Sequence, residues 1–567
     1  QRLRGQNNPR PGFLHPGNIH PFMTMPTACK GRPTGLLTAF FFATLAAIYF
    51  LGSYASLNTN ITFDTETEQN SLRININAVA GLLNGDLSGY RTLQDYGDKY
   101  YGMGFHAPAY LVQKLLYRPI ARYQDVTPEA AFLLVKHWLV FNLFFASGIL
   151  VLLLSRRIAH DESFSRLVTL GYLSWPFLLG HAMFNVKDIP FLFVWMLCTY
   201  LSFPIMEASS NRQRISRLQI FMIGICTGWL IAIRISGGLI LFQYAIAIFC
   251  TWQYARRYDG ATPNTVKLHW PIFLASTGSF IMIAYPVFWA DPLEIFNAIR
   301  YMSHHPMSQV GICSLVYGTC LPVAAASVLY LPAWLSAKLP VMIIAGVILL
   351  PFTLSRSTRI SASATNIQRP FILMLFYTSL TIPAVLVILH AILYHDLRQV
   401  LFLMPLFYLS GVFSLYWLSR KFAIALLGIS IFIFTADNFM AFPYQYIWFN
   451  MGARQLKVEQ YFDTDYWNSS GKNSYGKLTK FIKGTPMANC IYADAEVLFH
   501  YTQPELLTYG CLKADYDVTP ASPRPFIFLA PNTNAIMPVN CSTISEEKLH
   551  LFMGNGDIPL RTISYCK

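Results

Sequence analysis

The stretch SRLVTLGYLSWPFLLGHAMFNVKDIPFLFVWMLCTYLSFPIME, residues 165–207, decides the fold. Two apolar runs, at 165–183 and 188–207, read as spanning helices, since about 20 mostly apolar residues cross a bilayer. The turn between them is very short and holds Lys187 and Asp188 with apolar residues on both sides. Charges at that depth cost about 2.5–3.5 kcal/mol each on insertion scales, so those that persist are candidates for function.

Working outward, nine more runs have the same character, at 35–55, 131–155, 218–235, 237–254, 270–290, 338–354, 370–393, 399–418 and 421–440, giving about eleven transmembrane helices. The segment 318–337, GTCLPVAAASVLYLPAWLSA, carries prolines and reads as a re-entrant or interfacial piece. Composition agrees: of 567 residues 54% are hydrophobic and only 12% charged, against about 25% charged in a soluble protein.

The net charge of +14 does not form the single basic stripe of a nucleic-acid binder. It falls in clusters after alternate helices: Arg156 and Arg157; Arg212, Arg214 and Arg217; Arg256 and Arg257; Arg356, Arg359 and Arg369; Arg420 and Lys421. Residues 1–34 are basic and free of acid, and read as a disordered cytoplasmic tail. The positive-inside rule puts every cluster in the cytoplasm with that tail.

Residues 35–440 then form the transmembrane domain, with loops 56–130 and 291–337 and the tail 441–567 on the outer side. Within 56–130, ININAVAGLLNG and HAPAYLVQKLLYRPI have helical apolar spacing and predict amphipathic helices at the membrane surface. The tail carries short β-like runs, RPFIFLA at 524–530 and ANCIYADA at 488–495, and reads as a small soluble α/β domain. Cys198, Cys226 and Cys250 lie in apolar runs as core residues, whereas Cys490, Cys511, Cys541 and Cys566 share the tail and allow three disulfide pairings.

Four outer groups carry candidate chemistry. Asp64 and Glu66, just past the first helix, suit a general base or a divalent cation, or are plain loop acids. His181, Asn185, Lys187 and Asp188 fill the short turn, where Asp188 either caps the following helix or acts on a ligand. His395, Asp396 and Arg398 occupy another tight turn; Arg398 suits a phosphate, or snorkels, or pairs with Asp396. Arg234, beside Ser236, Gly237 and Gly238, is the fourth, with Arg300, His304 and His305 in the next outer loop. The His pair is a weak metal signal. No P-loop, GxSxG or HExxH motif occurs.

FDTETEQ at 63–69, GHAMFNVKDIPF at 180–191, AIRISGG at 232–238, YHDLRQVLFLMP at 394–405 and FDTDYW at 462–467 together give a pattern that resembles the GT-C superfamily of membrane glycosyltransferases. It is most similar to bacterial members of glycosyltransferase family 39, relatives of protein mannosyltransferases and lipid A aminoarabinose transferases. The resemblance implies a polyprenyl-phosphate sugar donor and a site at the outer, periplasmic face of a bacterial inner membrane. It gives Asp64 the role of base, Asp188 that of second active-site carboxylate, and Lys187 and Arg398 the lipid phosphate. Two departures stand out: Thr65 separates Asp64 from Glu66, where the family often has adjacent acids, and Val186 stands where it has Pro. The acceptor is a protein, lipid or glycan, and nucleic acid is not a partner. No cofactor is assigned, and a divalent cation stays open. A transporter or flippase for a lipid-linked solute is the rival reading, but it gives no reason for a 75-residue outer loop or an outer tail.

Overall fold

The computed structural model describes residues 35–210, 215–259, 269–303, 313–322, 328–356, 367–484, 490–493, 512–513, 525–531 and 540–567. The tail 1–34, His304, His305 and Cys511 lie outside them. The helices begin with α1 (Gly35–Asn58), which leads into three helices of the long loop 56–130: α2 (Phe63–Leu83), α3 (Ser88–Asp95) and α4 (His106–Gln124). There follow α5 (Pro128–Ala159), α6 (Glu162–Ser174), α7 (Pro176–Ala182), α8 (Asp188–Ser209), α9 (Arg217–Ile233), α10 (Ile240–Asp259), α11 (Trp270–Ala284) and α12 (Glu294–Ser303). The set ends with α13 (Tyr330–Lys338), α14 (Val341–Arg356), α15 (Gln368–Ile388), α16 (Met404–Leu418), α17 (Arg420–Met440) and α18 (Gly471–Gly484).

Among the described residues seven helices are long and apolar enough to cross a membrane, which makes the chain a multi-pass membrane protein. The expected eleven spans all fall on helices, but four do not reach that length alone. The helices α9 and α11 are short, and α14 is bent by 118° from α13, which leaves a broken span or re-entrant loop in the proline-bearing region. The run 165–183 is split into α6 and α7 at Trp175, held extended at φ −62°, ψ 112° because Pro176 disfavours the helical conformation in the residue before it.

The helices share a common polarity. Ion pairs join Arg156 to Glu162, Arg157 to Glu207 and Arg420 to Asp161, and Arg166 bonds Thr38. The starts of α1, α6 and α17 and the ends of α5 and α8 therefore gather at one basic end of the bundle. In the loop 56–130, α4 leaves Leu111 66% and Leu115 76% exposed, an apolar face fit for a membrane surface.

The tail does not separate cleanly at residue 441. Ala441, Tyr446, Trp448, Phe449 and Trp467 are buried in the same core as the spanning helices. One knot ties the last span to the tail: Asp437 of α17 accepts two bonds from Arg454, at 2.9 and 2.7 Å, one from Trp448 and one from the Phe552 backbone. Beyond α18 lies a mixed five-stranded sheet, built from β3 (Cys490–Tyr492), β4 (Leu512–Lys513), β5 (Phe526–Pro531), β6 (Cys541–Leu549) and β7 (Ile558–Cys566), in the order β4-β3-β5-β7-β6. A disulfide joins Cys541 to Cys566, and Cys490 is also disulfide-bonded. The three spanning-region cysteines are free and buried. Upstream, β1 (Cys313–Val316) and β2 (Thr319–Pro322) form a hairpin.

Candidate active site

After α1 the chain turns through extended Thr62 into α2. Asp64 and Glu68 stand four residues apart and so share a helix face, whereas Glu66 points elsewhere. Asp64 meets Arg398 at 3.1 Å, the Trp467 indole N–H at 3.3 Å and Lys187 at 3.7 Å. Glu68, fully buried, takes Lys187 at 2.7 Å and lies 3.0 Å from His106 Nε2. Lys187 also sits 4.5 Å from the centre of the Tyr101 ring. Tyr101 reaches it because Gly102 lets the loop 56–130 close onto α9: a Cβ there would stand 2.0 Å from the Ala232 carbonyl oxygen, and the Gly104 N–H donates to that same oxygen.

A second carboxylate lies beside the first. Asp188 is ion-paired with Arg234 and accepts from the Asn185 amide at 2.9 Å. Asn185 accepts in turn from the Lys187 and Asp188 backbone N–H groups, and its amide nitrogen lies 3.0 Å from His181 Nδ1. So Asn185, and not Asp188, caps the start of α8, which leaves the Asp188 carboxylate for Arg234. Arg398 likewise does not pair with Asp396. It turns to Asp64, donates to the Tyr394 hydroxyl at 3.1 Å and stacks 5.2 Å from the Trp467 ring, while Asp396 pairs with buried Lys338 at 3.0 Å. His395 and Asp396 both adopt left-handed φ, 56° and 72°, a conformation that costs non-glycine residues energy. The Lys338 pair and a bond from Tyr330 to the Asp396 carbonyl, 2.9 Å, hold it.

Position sets the protonation states. Burial alone would raise the Asp64 carboxyl, but Lys187 and Arg398 outweigh it and hold the pKa below the usual carboxylate range. Glu68 is likewise pushed up by burial and drawn further down by Lys187 and His106. Burial opposes the Lys187 charge, yet Asp64 and Glu68 together hold its pKa above the ordinary lysine range. His395 is pushed down to about 3, by burial first and Arg398 second, and stays neutral at physiological pH.

The FDTDYW stretch serves this site three ways. Asp463 holds the β1–β2 hairpin through Ser314 at 2.6 Å. Asp465 accepts from the Ser469 and Ser470 backbones, 2.7 and 3.0 Å, and fixes the turn into α18. Trp467 completes the wall behind Asp64. Among the remaining expected residues, Glu66 lines a separate open groove with Arg73 and Lys114, and Arg300 lies exposed on α12. Among the described residues no group of three or more His, Cys, Asp and Glu is placed to hold a metal ion. Glu68, His106 and Tyr101 were not singled out from the sequence. For Glu68 the signal was present, as an acid one helical turn after Asp64.

No family model and no curated protein matches the chain. Solved structures similar to it include two of one protein. One is ArnT from Cupriavidus metallidurans bound to undecaprenyl phosphate, matched over 94% of this chain and 98% of that one, at 12% identity and a TM-score of 0.45. The other is the same protein in the apo state, over 93% and 97%, at 12% identity and a TM-score of 0.27.

Taken by its charges, the site holds three carboxylates, Asp64, Glu68 and Asp188, against three cations, Lys187, Arg234 and Arg398. Several polar atoms in it are buried without a hydrogen-bond partner, among them Arg398 Nε, the Tyr466 hydroxyl, His106 Nδ1 and His181 Nε2, and Tyr466 lies within electrostatic reach of Arg398 and Asp188. An anion entering here would find donors ready, and would compete with Asp64 for Arg398 and Lys187. The carboxylate so released is a stronger base than the paired one, because the two cations are what depress its pKa.

Proposed function

We propose that the protein is a glycosyltransferase that moves a sugar from a polyprenyl-phosphate-linked donor to an acceptor hydroxyl, at the end of the bundle opposite the basic clusters. By the positive-inside rule that end is the outer, periplasmic one. One observation carries the reading: Asp64 stands between Arg398 and Lys187, at 3.1 and 3.7 Å, so a candidate base and two phosphate-binding cations come together from turns far apart in the chain. The resemblance of the same stretches to family 39 agrees with it.

In this mechanism the donor phosphate draws Arg398 and Lys187 onto itself. Asp64 takes the proton from the acceptor hydroxyl as its oxygen attacks the anomeric carbon. The anomeric C–O bond to phosphate breaks, its electron pair leaves with the lipid phosphate, and the two cations stabilise that charge. The transition state has oxocarbenium character, as in glycosidases, and a single displacement inverts the anomeric centre. Asp188 and Arg234 form the next ion pair along the site and support the side chains around the leaving group.

The test is to incubate purified protein with radiolabelled polyprenyl-phosphate sugars and follow the lipid. Release of free polyprenyl phosphate together with a labelled acceptor supports the enzyme. A donor that is bound or moved across a vesicle membrane yet recovered intact would establish a carrier in its place.

A further inference from the structure

A groove of about 670 Å³ lies at the basic end of the bundle, far from the site described above, between α10, α14 and α15. Its floor is apolar, with Phe249, Leu350, Leu373 and Phe376, and Arg257 and Arg369 line it as well. Both arginines sit within the helix turns nearest the basic end, so the charges lie towards the membrane surface and the apolar residues reach inward. No acid lines the groove. The sequences that connect α10 to α11 and α14 to α15 are equally one-sided in charge: residues 256–269 and 355–369 contain six Arg or Lys against Asp259 alone. Phe249 and Tyr377, at the groove, are 51% and 42% exposed, as suits side chains meeting lipid.

A positive-inside bias explains basic residues between helices, but it asks for no groove and no apolar floor beneath them. The two together match an amphiphile with an anionic head and a hydrocarbon tail. We infer that this groove binds an anionic glycerophospholipid from the leaflet at the basic end, its phosphate between Arg257 and Arg369 and one acyl chain along Phe249, Leu373 and Phe376. Arginine fits the head because its planar fork bonds two phosphate oxygens at once. The site is separate from the proposed reaction and stands whether or not that reaction is correct.

Native mass spectrometry of the full chain, released from micelles doped equally with phosphatidylglycerol and phosphatidylcholine, reads this directly. Wild type is expected to retain phosphatidylglycerol selectively. At about fivefold per arginine, Arg257→Gln with Arg369→Gln should cut that retention by roughly 25-fold. Leu373→Trp, which fills the floor and leaves both charges, should lower it too. Arg420→Gln, at the same end but outside the groove lining, should leave it unchanged. Thermal unfolding in lipid-free detergent checks that each variant is folded. Equal retention of the two lipids, or unaltered retention in the folded double variant, overturns the site. So does equal stabilisation by inorganic phosphate, because the apolar floor would then add nothing.

Discussion

Two buried clusters of charge in this molecule are built on opposite plans. In the knot of Asp437 and Arg454, both carboxylate oxygens are filled by four bonds. The guanidinium spends its remaining N–H groups on the Phe449 and Phe552 carbonyls at 2.6–3.1 Å. Both side chains are essentially inaccessible to solvent. Around Asp64 the bonds are longer, its side chain is 20% exposed, and Arg398 Nε and the Tyr466 hydroxyl have no partner. A saturated cluster has nothing to offer a ligand and serves to hold two parts of the chain together. A slack one gives up stability and keeps capacity in reserve.

The sharpest way to break this contrast is to remove a partner from each. Arg454→Ala leaves Asp437 as an uncompensated buried charge and should cost about 3–5 kcal/mol, read as a large fall in thermal midpoint or loss of folded protein in detergent. If that variant folds normally, the knot is not what ties the tail to the bundle. Asp64→Asn should weigh the other way, cutting transfer by about 10²–10⁴-fold, as expected for a lost general base, while its thermal midpoint falls less than that of Arg454→Ala, because the ion pairs it loses are partly exposed to solvent. A conservative change at the second partner is milder. Arg398→Lys keeps the charge but loses the fork that bonds Asp64 and Tyr394 together, and should weaken donor affinity by about tenfold, measured as KM for the lipid-linked sugar.

A pH scan sharpens the same point. Asp64 and Glu68 have lower pKa values folded than unfolded, so the folded state binds fewer protons on them. Their stabilisation is complete above the ordinary carboxylate range, about pH 4, and is lost as pH falls through their depressed values. Thermal midpoints should be flat from neutrality to about pH 5 and decline below it, with a shallower decline in Glu68→Gln. The smallest effect belongs to Glu66→Gln, expected to leave transfer within twofold. A hundredfold loss there would return Glu66 to the catalytic set.

Much of the slack cluster could be read from the chain, because its charges stand out against apolar neighbours. Lys187 and Asp188 between two membrane runs, and Arg398 in a tight turn, were conspicuous for that reason. The partners that tune them were not. Glu68 is marked only by helical phase, and it came to light once Phe63–Leu83 proved to be one continuous helix. His106 and Tyr101 are ordinary residues until tertiary packing places them, and Trp467, though it closes the FDTDYW stretch, shows its bond to Asp64 only in the fold. The knot was illegible for a similar reason: Asp437 sits inside an apolar run, and nothing local points to an arginine beyond the next turn. The span count suffered from proline and bend geometry. Hydropathy registers apolar length but not the interruption at Trp175 and Pro176 or the 118° bend before α14.

The separations within the site have one more consequence, and it concerns the order of synthesis. Asp64 leaves the ribosome 334 residues before Arg398 and 403 before Trp467. Until those residues emerge the nascent carboxylate has neither its guanidinium nor its indole, and the pocket closes only after α17 has been threaded. Any product cut short ahead of residue 467 would therefore insert into the membrane without the indole beside Asp64, and the proposed transfer would be silent in it.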